Sequence, residues 1–326
     1  MPARSKTYAF PKPSAMSLRI VFFGNSENVF SNRHFDALRQ TPCDIVAIVD
    51  APPSRRSSTN PAVSAVPSFA AVAEAMGIAC HAPEDPNAPE VIQALRQLSP
   101  DLFVAAGYTG LLKRDILAVP KLLAANFHAS LLPAYRGRSP LFWAIRNGES
   151  QSGLTVHVMD EGLDTGDVLY QVRVAIDPND SVESLYAKVI DASVPLIGRL
   201  VADADGNLVR TPQPSAGGSY FSGATEDDFR LDWTQPAETL RRWICATPGK
   251  CFLNAQGVRI FADEAEAVST PADLAAGTVL AVDEAGVCVV TAEGLLRLRR
   301  VHVNHNENTE ASAVFAELGI CVGGSL

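Results

Sequence analysis

Asn126 and His128 lie two positions apart in the run Asn126-Phe-His-Ala-Ser-Leu-Leu-Pro133. Asp164 sits inside a second polar run, Met159-Asp-Glu-Gly-Leu-Asp-Thr-Gly-Asp167. An amide N–H, an imidazole and a carboxylate are groups that can jointly manage a proton and an oxyanion. No Gly-x-Ser-x-Gly elbow accompanies them, which disfavours a covalent acyl-enzyme. The turn Gly24-Asn25-Ser26 lacks Gly-x-Gly-x-x-Gly, so a dinucleotide fingerprint is absent. The six cysteines are scattered without a Cys-x-x-Cys pair, which disfavours a zinc site and a disulfide framework and fits idle thiols in a reducing cytoplasm. No metal is expected.

The elements that must position these groups show in the pattern of apolar runs. Leu18 to Phe23, Asp44 to Val49, Ile78 to His81 and Asp101 to Ala106 read as strands. Helical stretches at Ser31 to Arg39, Phe69 to Ala75 and Pro89 to Leu98 alternate with them. Continuous apolar strands alternating with helices predict a doubly wound, mostly parallel α/β sheet covered on both faces. A fifth strand falls within Ala124 to Leu132, a helix at Pro140 to Arg146, and two further strands at Leu154 to Met159 and Val168 to Val174. On that fifth strand Asn126 and His128 leave the same face, at the carboxyl end, where open α/β sheets bind ligands. Leu185, Val189, Val194, Ile197 and Val201 form the apolar stripe of one long helix starting near Ser181.

Residues 207–220 turn polar and rich in Pro, Gly and Ser, as a linker does. The division is then a loose N-terminal tail over 1–16, a catalytic domain over 17–206, the linker over 207–220, and a smaller β-rich barrel over 221–326. The proline- and serine-rich loop after the second strand carries Arg55 and Arg56, which read as solvated.

At 47% hydrophobic and 19% charged residues the chain of 326 residues can bury a sizeable core. Its apolar runs fall far short of a bilayer span, and the first residues lack the apolar core of a secretory signal. A cytoplasmic protein that neither spans a membrane nor is secreted is the expectation.

The two polar runs, in this order and spacing, resemble the signatures of the formyltetrahydrofolate-dependent formyltransferases. The resemblance is best from about Leu18 to Leu200 and continues more weakly through Leu231-Asp232-Trp233. It implies a Rossmann-like catalytic domain followed by an OB-like barrel, and an enzyme using 10-formyltetrahydrofolate as cosubstrate. It assigns Asn126, His128 and Asp164 as the catalytic set. Asn126 and a protonated His128 would stabilise the oxyanion of a tetrahedral intermediate, while Asp164 would raise the imidazole pKa and relay the amine proton. It also implies that Gly107, Tyr108, Thr109 and Leu111, with Met159, Asp160, Glu161 and Gly162, shape the pterin pocket. Asp160, Glu161 and Asp167 also read as cap and turn residues, and for Glu161 and Asp167 that is the preferred reading. Gly24, Asn25 and Ser26 are candidates for the acceptor side, where backbone amides at a helix start can hold an anion. Ser130 and Arg136 are further acceptor-side candidates.

Charge bears on the acceptor. Residues 211–326 hold eight Lys/Arg and fifteen Asp/Glu, a balance of −7 within a whole-chain charge of −9. An acidic barrel repels a polyanion. The expectation is therefore a small-molecule amine acceptor: an amino sugar, a modified ornithine or a natural-product intermediate. Methionyl-tRNA formyltransferase is the alternative, with Arg241-Arg242 and Arg297-Leu-Arg-Arg300 as its local basic patches. A 10-formyltetrahydrofolate hydrolase and a non-catalytic folate-binding relative complete the set. The oligomeric state is not legible in the residues.

Overall fold

The computed structural model describes residues 17–55, 68–204, 206–214, 216–303 and 308–326. The tail over 1–16 and Arg56 of the second-strand loop lie outside them. The chain forms two compact units. One comprises the chain up to Arg136, Gly153–Arg173 and Val189–Gly218, and the other Gly137–Ser152, Val174–Lys188 and Ser219–Leu326.

In chain order the elements up to residue 203 are β1 (Leu18–Gly24), α1 (Val29–Leu38), β2 (Cys43–Asp50), α2 (Phe69–Met76), β3 (Ala79–His81), α3 (Pro89–Gln97), β4 (Leu102–Ala106), α4 (Arg114–Leu117), β5 (Leu123–His128), the short β6 (Arg136–Gly137), α5 (Pro140–Arg146), β7 (Gln151–Val158), β8 (Val168–Ala175), α6 (Val182–Ser193) and α7 (Pro195–Asp203). Seven strands form one sheet in the order β3-β2-β1-β4-β5-β7-β8. The pairs β1–β2, β1–β4, β2–β3 and β4–β5 are parallel, and β5–β7 is antiparallel. This is the mostly parallel α/β sheet expected.

Burial explains the runs of apolar residues. Ile20, Val21, Phe22 and Phe23 of β1 and Leu102, Phe103 and Val104 of β4 are fully buried, as strands covered on both faces must be. Helix α1 starts where Asn28 accepts a hydrogen bond from Phe30 N (2.8 Å), an N-cap that satisfies an otherwise orphaned donor. It buries Phe35 against Phe22 and Phe69, with ring centroids 5.0 and 5.2 Å away. The one long helix expected from Ser181 is two helices. Pro195 opens α7 directly after Val194, because proline has no N–H to continue the ladder and its ring clashes with the preceding turn.

The second unit carries β9 (Tyr220–Phe221), α8 (Ala237–Ala246), β10 (Phe252–Ala255), β11 (Val258–Val268), β12 (Val279–Asp283), β13 (Gly286–Val290), β14 (Leu295–His302), β15 (Thr309–Glu310) and α9 (Ala311–Glu317). Its antiparallel strands run in the order β10-β11-β14-β13-β12, with β15 against β14. The curled sheet closes over Leu240, Ile244, Leu296, Leu298, Val301 and Phe315, all essentially buried. No helix among the described residues is long and apolar enough to cross a membrane.

Candidate active site

β5 ends at the site. Ala105 of β4 pairs with Asn126 in parallel register, and His157 and Thr155 of β7 lie opposite Asn126 and His128 on the other edge. Period-two alternation sends all four side chains to one face. His128 is 8% exposed and His157 2%.

The hydrogen bonds fix the chemistry of the rings. His157 Nδ1 lies 2.9 Å from Val158 O, which can only accept, so Nδ1 carries the hydrogen. In the neutral ring Nε2 is then an acceptor, and the Asn126 atom 3.1 Å from it is the amide nitrogen. His128 Nε2 lies 2.9 Å from Tyr135 O and donates to it by the same reasoning. That leaves His128 Nδ1 as the titrating atom, and it faces Asp164 Oδ2 at 3.6 Å. Asp164 Oδ1 is 3.4 Å from His157 Nε2. One carboxylate therefore sits before both imidazoles.

Asp164 pulls the His128 pKa upward, as expected, and the Tyr135 carbonyl does the same. Burial outweighs both, and His157 adds to it, so the net direction is downward.

The loop that presents Asp164 is built from its own residues. Asp160 Oδ1 accepts from Thr165 Oγ1 (2.7 Å) and from Gly162 N (3.1 Å), so Asp160 is a turn staple. A Cβ on Gly166 would stand 1.9 Å from Val158 O, so only glycine lets the loop close on β7. Asp164 itself has φ 56, and Tyr135, the partner of His128, has φ 59. Few L-residues adopt this left-handed region, and such strain collects at functional sites where the surroundings hold it.

The residues expected around the pterin lie on the segment after β4 and on the loop after β7. Tyr108 and Met159 pack on the same core cluster, and Arg114 Nε lies 3.4 Å from Glu161 Oε1, linking the segment after β4 to the Asp164 loop. Gly107 has φ 70, and a Cβ there would stand 2.6 Å from Ser31 Oγ. The Tyr108 hydroxyl is buried without a hydrogen-bond partner, and burial pushes its pKa up to about 12. Leu111 and Leu163 are 52% and 50% exposed on these two loops, and Thr109 is exposed.

The acceptor-side candidates divide differently. Around Gly24, Asn25 N donates to Ser31 Oγ (3.0 Å), Ser26 N to Asp50 Oδ1 (2.9 Å), Glu27 N to Asn25 Oδ1 (3.0 Å) and Asn28 N to Asn25 O (2.9 Å). These backbone donors are engaged within the chain. Ser130 is fully buried, and its hydroxyl donates to Ala134 O (2.8 Å). Arg136 donates to Gln213 Oε1 through Nε (3.3 Å) and Nη2 (2.6 Å).

Two residues that touch the site escape the sequence reading. His157 carried a usable signal, since Thr155 and His157 repeat on β7 the polar spacing of Asn126 and His128. Gln213 carried none, lying in a stretch whose composition reads as linker.

Comparison with known proteins bears on the same residues. The family model described as "Formyl transferase" matches residues 18–200, and "Formyl transferase, C-terminal domain" matches 224–319. Methionyl-tRNA formyltransferase of Synechococcus sp. (strain JA-3-3Ab) is 36% identical over 299 residues, covering 88% of this chain and 91% of the relative. That of Halorhodospira halophila is 37% identical over 295 residues, covering 88% and 92%. Among solved structures, an N-formyltransferase from Helicobacter canadensis in complex with folinic acid and dTDP-3-aminofucose shares the fold. Its TM-score is 0.63 at 16% identity, covering 88% of this chain and 100% of that one. The catalytic runs, the mostly parallel sheet that carries them and the matched C-terminal domain agree: this chain belongs to the formyltetrahydrofolate-dependent formyltransferase superfamily.

Proposed function

We propose that this enzyme moves the formyl group of 10-formyltetrahydrofolate to the amine of methionine esterified to tRNA. The geometry of Asn126, His128 and Asp164 supports the chemistry. The amine nitrogen bonds to the formyl carbon, the bond from that carbon to the donor nitrogen breaks, and the amine proton ends on that nitrogen. Asn126 gives one amide N–H to His157, and its second serves the oxygen that becomes negative. The Asp164 carboxylate takes the amine proton, directly or through a water. His128 Nδ1, facing that carboxylate, shares the proton until it leaves.

The acceptor rests on one observation: identity of 36% to a methionyl-tRNA formyltransferase over 91% of that protein's length, the C-terminal region included. A likeness confined to the donor chemistry would stop at the catalytic domain. The small-amine acceptor expected from charge gives way to this reading, because net charge is an average over the whole surface and the likeness extends through the C-terminal region. One observation still favours a small amine. Arg297, Arg299 and Arg300, the best basic patch, all face glutamates, with Arg297 at 3.3 Å from Glu266 and Arg300 at 2.7 Å from Glu310.

Incubation with labelled 10-formyltetrahydrofolate, methionyl-tRNA and a panel of amino sugars and ornithine derivatives separates the readings. Label on the methionine of the tRNA is the expected result. Turnover on a small amine with none on methionyl-tRNA rejects it. Formate released at a catalytic rate without acceptor identifies a hydrolase.

A further inference from the structure

The stretch between the two family matches ends at the catalytic loop. Thr211 exchanges both backbone hydrogen bonds with Val168, Val168 N to Thr211 O at 2.8 Å and Thr211 N to Val168 O at 2.9 Å. Two residues on, the Gln213 amide nitrogen donates to Asp164 O and to Gly166 O, both at 2.8 Å. Its oxygen accepts from the Arg136 guanidinium, which settles which end of the amide is which, since arginine has only donors. Arg136 directly follows Tyr135, whose carbonyl receives His128 Nε2. A single Arg136–Gln213 pair thus connects the chain on the Nε2 side of His128 to the loop on its Nδ1 side.

We infer that Gln213 is a positioning residue for formyl transfer, holding the Asp164 turn against His128 from a segment outside the catalytic domain match. Asp164 needs such a hold. Its backbone is left-handed, and its carboxylate must stay in front of His128 Nδ1. Two hydrogen bonds from one planar amide to carbonyls two residues apart fix the turn's peptide planes. Arg136 keeps that amide from rotating.

The inference rests on the catalytic assignment above, and the experiment distinguishes the two. In the full-length protein, Gln213→Leu removes the donor, and Gln213→Glu keeps the Arg136 bond and sets an oxygen against the two carbonyls. With 10-formyltetrahydrofolate and methionyl-tRNA, both Gln213 variants should lose about tenfold to a hundredfold in kcat, the cost of sub-ångström misplacement, with little change in KM. Independently of any acceptor, the His128 ring resonance should titrate at lower pH in Gln213→Leu, because the nearby Asp164 charge that opposes burial and the neighbouring His157 is drawn back. A merely structural Gln213 would lower thermal stability and leave that titration where it was. Folded Gln213→Leu and Gln213→Glu proteins with unaltered kcat and unaltered His128 titration overturn the inference. Loss of activity in Asp164→Asn alongside that result leaves the catalytic assignment standing, whereas full activity in Asp164→Asn removes both.

Discussion

At the scale of single residues, the two histidines differ in role because their hydrogen-bond partners differ. His157 donates to its neighbour's carbonyl and accepts from Asn126, so it orients an amide. His128 donates to Tyr135 O and turns its free nitrogen to Asp164, so it handles a proton. Asn126→Ala should therefore lower kcat by about a hundred- to a thousandfold, the usual worth of one oxyanion donor. His157→Phe should act more mildly, by about tenfold to a hundredfold, because Asn126 remains but its amide is free to turn. Steady-state rates of the two variants check the ordering, and a His157→Phe enzyme slower than Asn126→Ala would count against it. Ser130 and Arg136, beside the catalytic run, both have partners within the chain, Ala134 O and Gln213 Oε1.

At the scale of elements, the site depends on strand ends and on the helices that brace them. His34 of α1 is fully buried between Phe30 O at 2.7 Å and Ser193 Oγ at 3.0 Å. Burial, its largest influence, holds its pKa down at about 4. The folded chain binds this proton less readily than the unfolded chain. The contribution is therefore complete above pH 6.5 and is lost as pH falls from 6.5 toward 4. At about 1.4 kcal/mol per pH decade the loss is on the order of 3 kcal/mol. Denaturant unfolding of wild type and His34→Gln at pH 7.5 and 4.5 checks this, the variant showing the smaller pH dependence. Gly166→Ala should cost more activity than stability, since its Cβ would meet Val158 O and displace the Asp164 loop; thermal melts and rates compared in one preparation test it. The strands and α1 to α3 were legible in the chain because continuous apolar runs and capping residues encode them locally. The break before Pro195 was legible too, and the apolar stripe that crosses it masked it. The hold on the loop by Gln213 was not legible. It joins residues 49 positions apart through a polar side chain in a segment without periodicity, and no local pattern encodes such a contact.

At the scale of the whole molecule, charge and likeness point to different acceptors, and a salt titration weighs them. With the basic patch of β14 already paired to glutamates, few phosphates can be neutralised. Three such contacts would raise the KM for methionyl-tRNA by roughly fortyfold between 50 and 200 mM salt, and ten would raise it about 10⁵-fold. The account expects the shallow dependence; the steep one would mean that the arginines of the second unit exchange their glutamates for tRNA as a set. Everything above stands on one claim, that Asn126, His128 and Asp164 together transfer the formyl group. Its most direct test is single-turnover transfer from labelled 10-formyltetrahydrofolate to methionyl-tRNA by the wild type and by folded Asp164→Asn. A rate lower by about a hundred- to ten-thousandfold in the variant, the contribution of a positioned acid–base group, is the predicted result. A variant transferring within a few-fold of wild type would contradict the account.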